Sequence, residues 1–309
     1  MKEKQLSVKR GIMDNIKDMV VKAKAYLESA GKLTEECLEK YIPSEKEPPS
    51  TLHAAMRYAL FTGGKRLRPA LAQAAYEFFG GKPSESIYLA MCALEMLHTF
   101  SLIHDDLPCM DDDDFRRGKL TTHKVYGDAT AVLTGDALCV FAFELIARTG
   151  NITVVKELAH SLGTKGMIGG QIVDIESEEK NVDLATVDYI HYHKTAALIE
   201  ASLVIGGLLA DAKKEDLECI REFGKGIGLV FQIVDDILDI ESSTEELGKD
   251  VGSDIKNGKA TYPAVLGLDV SKQKAKELYN KALSDLEKLA GKNSETLRNI
   301  AALIIERTY

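Results

Sequence analysis

The sequence predicts an all-α protein with a single domain, and three features of its 309 residues lead to this prediction. No proline occurs between Pro108 and Pro263, and such a stretch suits helices because proline removes a backbone hydrogen-bond donor. Within it, apolar residues recur with helical spacing over residues 131–147, 153–175 and 195–210. The strict alternation of apolar and polar residues that is typical of half-buried strands is scarce. A chain of this length can bury one large core.

The front of the chain predicts a tail and a loop before the first core helix. Residues 1–12 are polar and basic and are predicted to form a loose tail, so that the domain itself spans residues 13–309. Residues 41–60 contain three prolines followed by an apolar pattern. This predicts a loop and then a helix, with Ser50 or Thr51 as its N-cap.

The rear of the chain predicts a polar loop and two further helices. Residues 247–263 hold three glycines among charged residues, as loops between helices do. Residues 269–309 carry charged residues along one side of a helical pattern. This predicts two amphipathic helices that pack on the outside of the domain.

Composition excludes several classes of protein. The formal net charge is −9, whereas non-specific binding to nucleic acid needs a basic face. The five cysteines are widely spaced and form no CxxC pair, which favours reduced thiols in the cytoplasm over a disulfide framework or a zinc site. We expect no membrane span, which needs about 20 apolar residues, and no targeting peptide. An anionic small molecule is still a possible ligand, because local charge can oppose the average.

The first candidate site is an acidic segment in which six aspartates occupy ten consecutive positions. Residues 90–107 predict a helix, on which His98 and Ser101 share one face with Asp105. Pro108 cannot continue that helix, so the later aspartates come from a turn. The helix end and the turn are therefore expected to bring together the carboxylates of Asp105, Asp106 and Asp111.

A second acidic cluster lies in the segment GLVFQIVDDILDI, at residues 228–240. Gln232, Asp235 and Asp239 fall on one face of a predicted helix, with Asp236 beside them. The neighbours are valine, isoleucine, leucine and phenylalanine, which predicts that the helix is mostly buried. Buried carboxylates need compensation, because isolated buried charge costs many kcal/mol. Carboxylates with water ligands suit Mg²⁺, which usually bridges the protein to substrate phosphates.

An acidic run by itself is usually a solvated face, and the run at residues 111–114 taken alone favours that interpretation. The apolar surroundings of the second cluster favour the metal instead. Cationic residues accompany both clusters, each beside a glycine or a group of aspartates. Cations and metal-binding acids in one chain predict phosphate-rich ligands, because arginine grips phosphate with a planar fork and lysine as a point charge. These cationic residues are Lys65, Arg68, Arg116, Arg117, Lys194, Lys249 and Lys259.

Five motifs, taken together, resemble the conserved regions of the trans-isoprenyl diphosphate synthases. They are GGKRLRP at 63–69, DDLPCMDD with RRG at 105–118, HKT at 193–195, FQIVDDILD at 231–239 and GKATYP at 258–263. The resemblance covers roughly residues 13–309. Within the family, the sequence most resembles the bacterial-type farnesyl diphosphate synthases. It implies the isoprenoid synthase fold, a single large all-α bundle around a deep central cavity, usually as a homodimer.

The resemblance also implies roles for individual residues. About three Mg²⁺ ions would be bound from two walls by Asp105, Asp106, Asp111, Asp235, Asp236 and Asp239. The allylic diphosphate would contact Arg116, Lys194, Lys249 and Lys259, with Thr195 and Gln232 facing the reacting carbons. Isopentenyl diphosphate would contact Lys65, Arg68, His98 and Arg117. The catalytic residues would be Lys194, Thr195 and Gln232.

The implied reaction is a chain elongation by a Mg²⁺-dependent prenyltransferase. The C–O bond of an allylic diphosphate (dimethylallyl or geranyl) breaks, and the carbocation joins the double bond of isopentenyl diphosphate. Metal ions and cations stabilise the charge of the leaving group. A proton is then lost to the departing pyrophosphate, so no side chain is assigned as the general base.

Phe100 and Ser101 are the candidates for control of product length. At ~100° per residue, Ser101 lies nearly beneath Asp105 and Phe100 points about 140° away. Helical geometry therefore does not decide whether Phe100 blocks the growing prenyl chain or simply packs in the core. In the family, an aromatic residue five positions before the first aspartate, with the longer first motif seen here, resembles a stop at C15. We predict farnesyl diphosphate as the product, with geranylgeranyl diphosphate as the alternative.

Three other functions compete with this prediction. A terpene cyclase shares the fold and the metal chemistry but needs no isopentenyl site, so GGKRLRP counts against it. A non-catalytic partner subunit or metal-stabilised scaffold is free to lose motif residues, and none is lost here. An acidic interaction domain does not fit the apolar setting of the second cluster. The sequence leaves open the preferred starter and which of Asp111 to Asp114 binds metal.

Overall fold

The computed structural model describes residues 2–178, 180–241, 259–289 and 293–306, and this part of the chain is almost entirely helical. The helices are α1 (Lys2–Tyr41), α2 (Ser50–Leu60), α3 (Leu67–Phe78), α4 (Glu85–Asp105), α5 (Thr122–Tyr126), α6 (Asp128–Ala147), α7 (Ile152–Leu162), α8 (Met167–Ser177), α9 (Leu184–Ile190), α10 (Ala197–Leu209), α11 (Lys214–Glu241), α12 (Tyr262–Leu266), α13 (Leu268–Glu287) and α14 (Glu295–Glu306). A π-helical segment, His191–Ala196, joins α9 to α10. Strands β1 (Phe115–Arg116) and β2 (Lys119–Leu120) form an antiparallel hairpin. The all-α prediction is confirmed.

Two apolar clusters form the core, and α10 contributes to both. One cluster gathers around α4, α6 and α7, and the other around α3, α11, α13 and α14. Nearly every residue of α10 from Ala197 to Gly207 is buried, in keeping with its apolar sequence on all sides. The helix thus fixes the two halves of the chain to each other, and the site lies where they meet.

No membrane span was expected, but helices α4 and α6 are long and apolar enough to cross a membrane by length and composition alone. The criterion is weak evidence for one or two helices, because a core helix meets it as well. The relevant window of α4 is 72% buried inside the protein, as expected of a core helix, whereas that of α6 is 39% buried. Helix α6 therefore presents an apolar outer side.

Several boundaries differ from the sequence prediction. Backbone residues 2–12 are helical and continuous with α1 where a loose tail was predicted, in keeping with the seven strong helix formers (Lys, Arg, Glu, Gln and Leu) among these eleven residues. Helix α2 begins at Ser50 with Pro49 in the N-cap position, so neither Ser50 nor Thr51 caps it. Residues 242–258, with Lys249 and most of the predicted polar loop, lie outside the described residues.

The predicted helical segment over residues 153–175 divides into α7 and α8. A Cβ atom added to Gly166 would lie 2.1 Å from the carbonyl oxygen of Ser161, so the chain can turn back closely only without a side chain there. The break lets α8 approach the π-helical segment, where Gly170 contacts the backbone of Lys194. The two amphipathic helices predicted at the C-terminal end are present as α13 and α14.

Candidate active site

The first acidic cluster, residues 105–114, is built from the end of α4 and the turn after it. Helix α4 ends at Asp105, three residues before Pro108, as the proline predicts. The backbone amide of Asp111 then donates to the carbonyl of Asp105 over 2.9 Å. Asp112 adopts a left-handed conformation with φ 51°, which reverses the chain. The turn thereby places Asp111 next to the end of the helix.

The hairpin after this turn directs two consecutive arginines to different places. Arg116 donates from Nε to Asp106 over 2.5 Å and from a terminal nitrogen to Asp113 over 3.1 Å. Arg117 instead donates to the carbonyl of Gly63, in the loop between α2 and α3. Adjacent cations thus serve the aspartate cluster and the GGKRLRP motif.

Burial raises the pKa values of the carboxyl groups at the end of α4. It raises the pKa of Asp106 to about 7, although the charge of Arg116 acts in the opposite direction. Burial likewise raises the pKa of Asp105, against the charges of Lys194, Arg116 and Lys259. Three predicted site cations from distant parts of the sequence therefore lie within electrostatic reach of one aspartate.

The π-helical segment supplies the opposite side of the site. Lys194 pairs with Asp174 of α8 over 2.5 Å, and Thr195 donates to the side-chain oxygen of Gln232 on α11 over 2.7 Å. A π-turn adds a residue to a helical turn and often occurs at functional sites. The three predicted catalytic residues are brought together here.

The second acidic cluster, residues 235–239, lies on α11, and its three aspartates differ in exposure. Both oxygens of Asp236 accept hydrogen bonds: Gln232 donates over 3.0 Å and the backbone amide of Tyr262 over 3.1 Å. Asp236 and Asp239 are almost fully buried. Asp235 is partly exposed, and its charge reaches Arg68. Asp236 thus supports the arrangement of its neighbours, and a metal-binding role for it stays a prediction.

Lys259 connects the rear of the chain to the first acidic cluster. Its Nζ lies 3.1 Å from a carboxylate oxygen of Asp111, and both side chains are largely buried. This contact joins residues 148 positions apart in the sequence. The GKATYP motif therefore contributes to the same site as DDLPCMDD.

The predicted isopentenyl diphosphate residues form a second, strongly cationic place beside the aspartates. Burial lowers the pKa of Arg68 to about 10. Burial, together with the charges of Arg68, Arg117 and Arg116, holds the pKa of His98 well below 6.5. His98 is therefore neutral at neutral pH and can donate or accept one hydrogen bond at each ring nitrogen. Arg68, His98 and Arg117 converge as the resemblance implies.

The two candidates for product length lie on α4 but make different contacts. Phe100 is 8% exposed and packs edge-on against the ring of His104, with centroids 5.1 Å apart. Ser101 donates to the carbonyl of His98 over 2.9 Å. His104 in turn contacts the backbone of α6 at Val132. Phe100 is thus fixed between α4 and α6.

A cavity of about 740 Å³ lies between α1, α14 and residues 64–67. Lys65 and Arg66 line one side of it, and Phe231 and Leu303 line another. It adjoins the GGKRLRP motif and is separate from the space between the two acidic clusters. The cavity lined by Lys65, Arg66, Phe231 and Leu303 is therefore a different space from the deep central cavity that the resemblance implies.

Sequence reasoning missed several residues that hold the site in place. Asp174, the partner of Lys194, follows the pair Gly169–Gly170 in GGQIVDIE, where an acidic residue within an apolar helix was a usable signal. His191 lies 3.3 Å from Asp236, a contact that no sequence motif predicted. Arg66 and Glu95 form a fully buried ion pair, and only the position of Arg66 inside GGKRLRP hinted at this.

The donor set of the two acidic clusters fits Mg²⁺. Asp105, Asp111 and Asp235 offer partly exposed carboxylate oxygens, the hard ligands that this ion prefers. Among the described residues, no three histidine, cysteine or acidic side chains lie close enough to chelate an ion by themselves. Mg²⁺ usually keeps several waters and shares substrate phosphates. Lys259 beside Asp111 and Arg116 beside Asp106 show that the site accommodates charge pairing.

Comparison with known proteins agrees with this geometry. The family model for polyprenyl synthetase matches residues 49–300. A chloroplastic geranylgeranyl pyrophosphate synthase from Capsicum annuum is 48% identical over 84% of this chain and 72% of its own length.

Solved structures give the same result. An FPP/GFPP synthase from Zymomonas mobilis, in its apo form, is 35% identical, with a TM-score of 0.79, over 93% of this chain and 99% of that one. A geranyltransferase from Helicobacter pylori, solved with magnesium and isoprenyl diphosphate, is 33% identical, with a TM-score of 0.80, over 91% and 96% of the two chains. With its motifs, fold and site geometry in agreement, this chain belongs to the polyprenyl synthetase family of prenyltransferases.

Proposed function

We propose that this protein joins isopentenyl diphosphate to an allylic diphosphate and so elongates prenyl chains by five carbons. The observation that carries the proposal is the divergence of Arg116 and Arg117. One arginine serves the aspartate cluster and the other serves the GGKRLRP loop. Two separate anion sites lying side by side suit two diphosphate substrates, because each arginine can grip one diphosphate with its planar fork.

The allylic diphosphate would bind between the two acidic clusters. Asp105, Asp111 and Asp235 would hold Mg²⁺, which supplies positive charge for the oxygen atoms of the leaving group when it is bound. Lys194 pairs with Asp174 and Lys259 with Asp111, and both charges act on Asp105, so both lysines would be placed to contact the diphosphate. Their charge stabilises the pyrophosphate that develops as the C–O bond breaks.

The carbocation would form next to Thr195 and Gln232. The hydroxyl of Thr195 donates to Gln232, and Gln232 donates to Asp236, so their dipoles have a fixed direction. The double bond of isopentenyl diphosphate would be held close by its own diphosphate at Arg68, His98 and Arg117, which makes the encounter effectively intramolecular. A new C–C bond forms, and the proton leaves to the departing pyrophosphate.

We propose geranylgeranyl diphosphate as the main product. It was the alternative in the prediction from sequence, and farnesyl diphosphate was the main prediction. The support is the 48% identity to the geranylgeranyl pyrophosphate synthase of Capsicum annuum. The second candidate is farnesyl diphosphate, which Phe100 favours as an aromatic residue fixed beside the end of α4. A terpene cyclase is disfavoured, because it has no use for the cationic site at Arg68, His98 and Arg117.

The test is a product analysis with purified protein. Isopentenyl and dimethylallyl diphosphates are incubated with Mg²⁺, and the products are dephosphorylated and measured by chain length, with EDTA as the control. A C20 alcohol that disappears with EDTA supports the whole proposal, and a C15 alcohol supports the second candidate. No elongation by folded protein would refute both.

Phe100→Ala tests the control of product length. Removal of the ring opens space beside α4, so the variant is expected to shift its products by at least one five-carbon unit towards longer chains. The measurement is the chain-length distribution at equal conversion. Phe223→Ala is the matched control, because it removes a buried ring of the same kind from the other core cluster, away from α4. An unchanged distribution for Phe100→Ala would sink the idea that Phe100 limits the chain.

We also propose that the protein works as a homodimer in the cytoplasm. The support for a dimer is the exposed apolar side of α6, where Val132, Leu133 and Val140 are 39%, 59% and 70% exposed. The support for the cytoplasm is the set of five free cysteines, none paired in a disulfide.

A further inference from the structure

Arg66 lies between two predicted ligands of isopentenyl diphosphate, but its guanidinium is paired inside the protein. It stands in GGKRLRP between Lys65 and Arg68, yet its side chain is only 1% exposed. Its backbone is left-handed, with φ 47° and ψ 39°, and it occupies the N-cap position of α3. Such a conformation costs free energy for a residue other than glycine and persists only where surrounding contacts fix it.

The contacts that fix Arg66 come from three helices. Its guanidinium lies 2.6 Å from Glu95 on α4 and 3.2 Å from Glu35 on α1, and it donates to the carbonyl of Leu60 at the end of α2 over 2.6 Å. The planar fork of arginine can satisfy several acceptors at fixed angles, which a lysine ammonium cannot do. The turn that leads from Lys65 to Arg68 is therefore held from inside the protein.

Glu95 belongs to the same cationic neighbourhood. It precedes His98 by one turn of α4 and is also 1% exposed. One of its oxygens bonds Arg66, whereas Oε2 is buried without a hydrogen-bond partner among the described residues. Its negative charge acts on both Arg68 and Arg117. A buried carboxylate in this position anchors the cations around it.

We propose that the buried Arg66–Glu95 ion pair is a positioning pair, which orders the loop from Lys65 to Arg68 and so determines the affinity for isopentenyl diphosphate. The inference rests on the proposed function, because it concerns the second substrate of that reaction. The pair contacts no residue of the first acidic cluster in the described structure. It therefore acts on one substrate and leaves the allylic diphosphate unaffected.

The first test is Arg66→Lys, which keeps the charge and removes the planar fork. We expect the KM for isopentenyl diphosphate to rise about tenfold, which corresponds to about 1.4 kcal/mol. The KM for the allylic substrate should stay within about twofold, and kcat at saturation should change little. Glu95→Gln should shift the same KM in the same direction. Equal shifts in both KM values, or a lower KM for isopentenyl diphosphate in Glu95→Gln, would overturn the proposal.

A loss of folding must be separated from a loss of positioning. The double variant Arg66→Met with Glu95→Met removes both buried charges, a change that often leaves stability intact or improves it. It should melt close to the wild-type temperature and still show the raised KM for isopentenyl diphosphate. Leu286→Ala is the matched destabilised control: Leu286 is buried on α13 and far from the loop, so its loss lowers the melting temperature without the selective KM change. A wild-type KM in the double variant contradicts the proposal.

Calorimetric titration with isopentenyl diphosphate keeps this inference distinct from the proposed reaction. The wild-type protein and Arg66→Lys are titrated without allylic substrate, so no turnover is needed. About tenfold weaker binding by the variant supports the positioning pair, even if no elongation is observed. Equal binding by both proteins refutes it, even if elongation proceeds.

Discussion

At the scale of single residues, the site contains buried carboxylates whose ionised form is unfavourable in the absence of a ligand. Burial raises the pKa of Asp105, which means that the folded protein disfavours the ionised carboxylate. The ionised form therefore lowers the stability of the folded protein, and this loss disappears as the pH falls. A diphosphate with its metal ions compensates for the charge.

Asp105→Asn is expected to separate stability from activity. The amide is uncharged, so in EDTA the variant should melt at a higher temperature than the wild-type protein. Turnover should fall by about 100-fold or more, because electrostatic stabilisation of the leaving group is lost. Thermal denaturation and steady-state assays measure the two effects, with Glu45→Gln on the surface as control. A variant that keeps activity would contradict the role of Asp105.

His98 gives the site a dependence on pH. Burial first, and then the charges of Arg68 and Arg117, hold its pKa well below 6.5, so it folds uncharged. As the pH falls below 6.5, the unfolded chain takes up a proton that the folded protein does not, and stability decreases. Between about pH 7 and pH 5.5, the free energy of unfolding should fall by about 1 kcal/mol less in His98→Gln than in the wild-type protein. Urea unfolding at both pH values is the measurement, and equal losses would refute the prediction.

At the scale of elements, the π-helical segment is held between two helices by glycines. A Cβ atom added to Gly228 of α11 would lie 2.7 Å from the Cα atom of Ala196. On the other side, one added to Gly170 of α8 would lie 2.2 Å from the backbone nitrogen of Lys194. A side chain added at either glycine would displace the π-helical segment, because a close-packed interior has few voids to absorb it. The position of Lys194 and Thr195 therefore depends on both glycines.

Gly228→Ala tests this arrangement against a neighbour on the same helix. The methyl group should push the π-helical segment away and lower kcat by up to about 100-fold, because a displacement near 1 Å misplaces reacting groups. Gly226→Ala is the control, since its Cβ atom would meet Ala282 of α13 at 2.8 Å, away from the site. Both variants should have a lower melting temperature, but only Gly228→Ala should have a lower kcat. Equal losses of kcat would point to a general packing effect.

Helix α6 faces the core on one side and solvent on the other. Its sequence is apolar all round, which predicts burial on every side. In the single chain, Leu133 and Val140 are nevertheless more than half exposed. A second copy of the chain would cover them, as apolar surface of this kind usually lies in an interface.

Charged substitutions on this helix test the dimer. The wild-type protein is expected at twice the chain mass of 33.9 kDa. Leu133→Glu combined with Val140→Glu should give the mass of a single chain, because buried unpaired carboxylates are costly. Light scattering after size exclusion measures the mass. Val21→Glu on α1, where valine is 65% exposed, should leave it unchanged. A dimeric double variant would place the interface elsewhere.

At the scale of the whole molecule, the site exists because two halves of the chain meet. The contact between Asp111 and Lys259 joins positions 148 residues apart, and Lys194 acts on Asp105 across the same space. Helix α10 belongs to both core clusters and fixes the halves relative to each other. The convergence therefore depends on the packing of the entire bundle.

Much of this could be predicted from the sequence. The long stretch without proline and the helical spacing predicted the all-α fold, and Pro108 predicted where α4 ends. Of the residues in the five motifs, Lys259 lies beside Asp111 and Arg116 beside Asp106, whereas their roles stay predictions. Local signals of this kind are sufficient where the cause is local, such as a missing backbone donor or the residue period of a helix.

The sequence by itself determined the all-α fold, the family and a set of candidate residues for the chemistry. Only the tertiary structure decided how these residues divide the work: Asp235 is left accessible while Asp236 is enclosed by Gln232 and Tyr262. It also decided that Arg66, within a motif of ligands, turns inward to Glu95. The physical reason is that burial and pairing depend on neighbours brought in from distant parts of the chain, and no local pattern contains them.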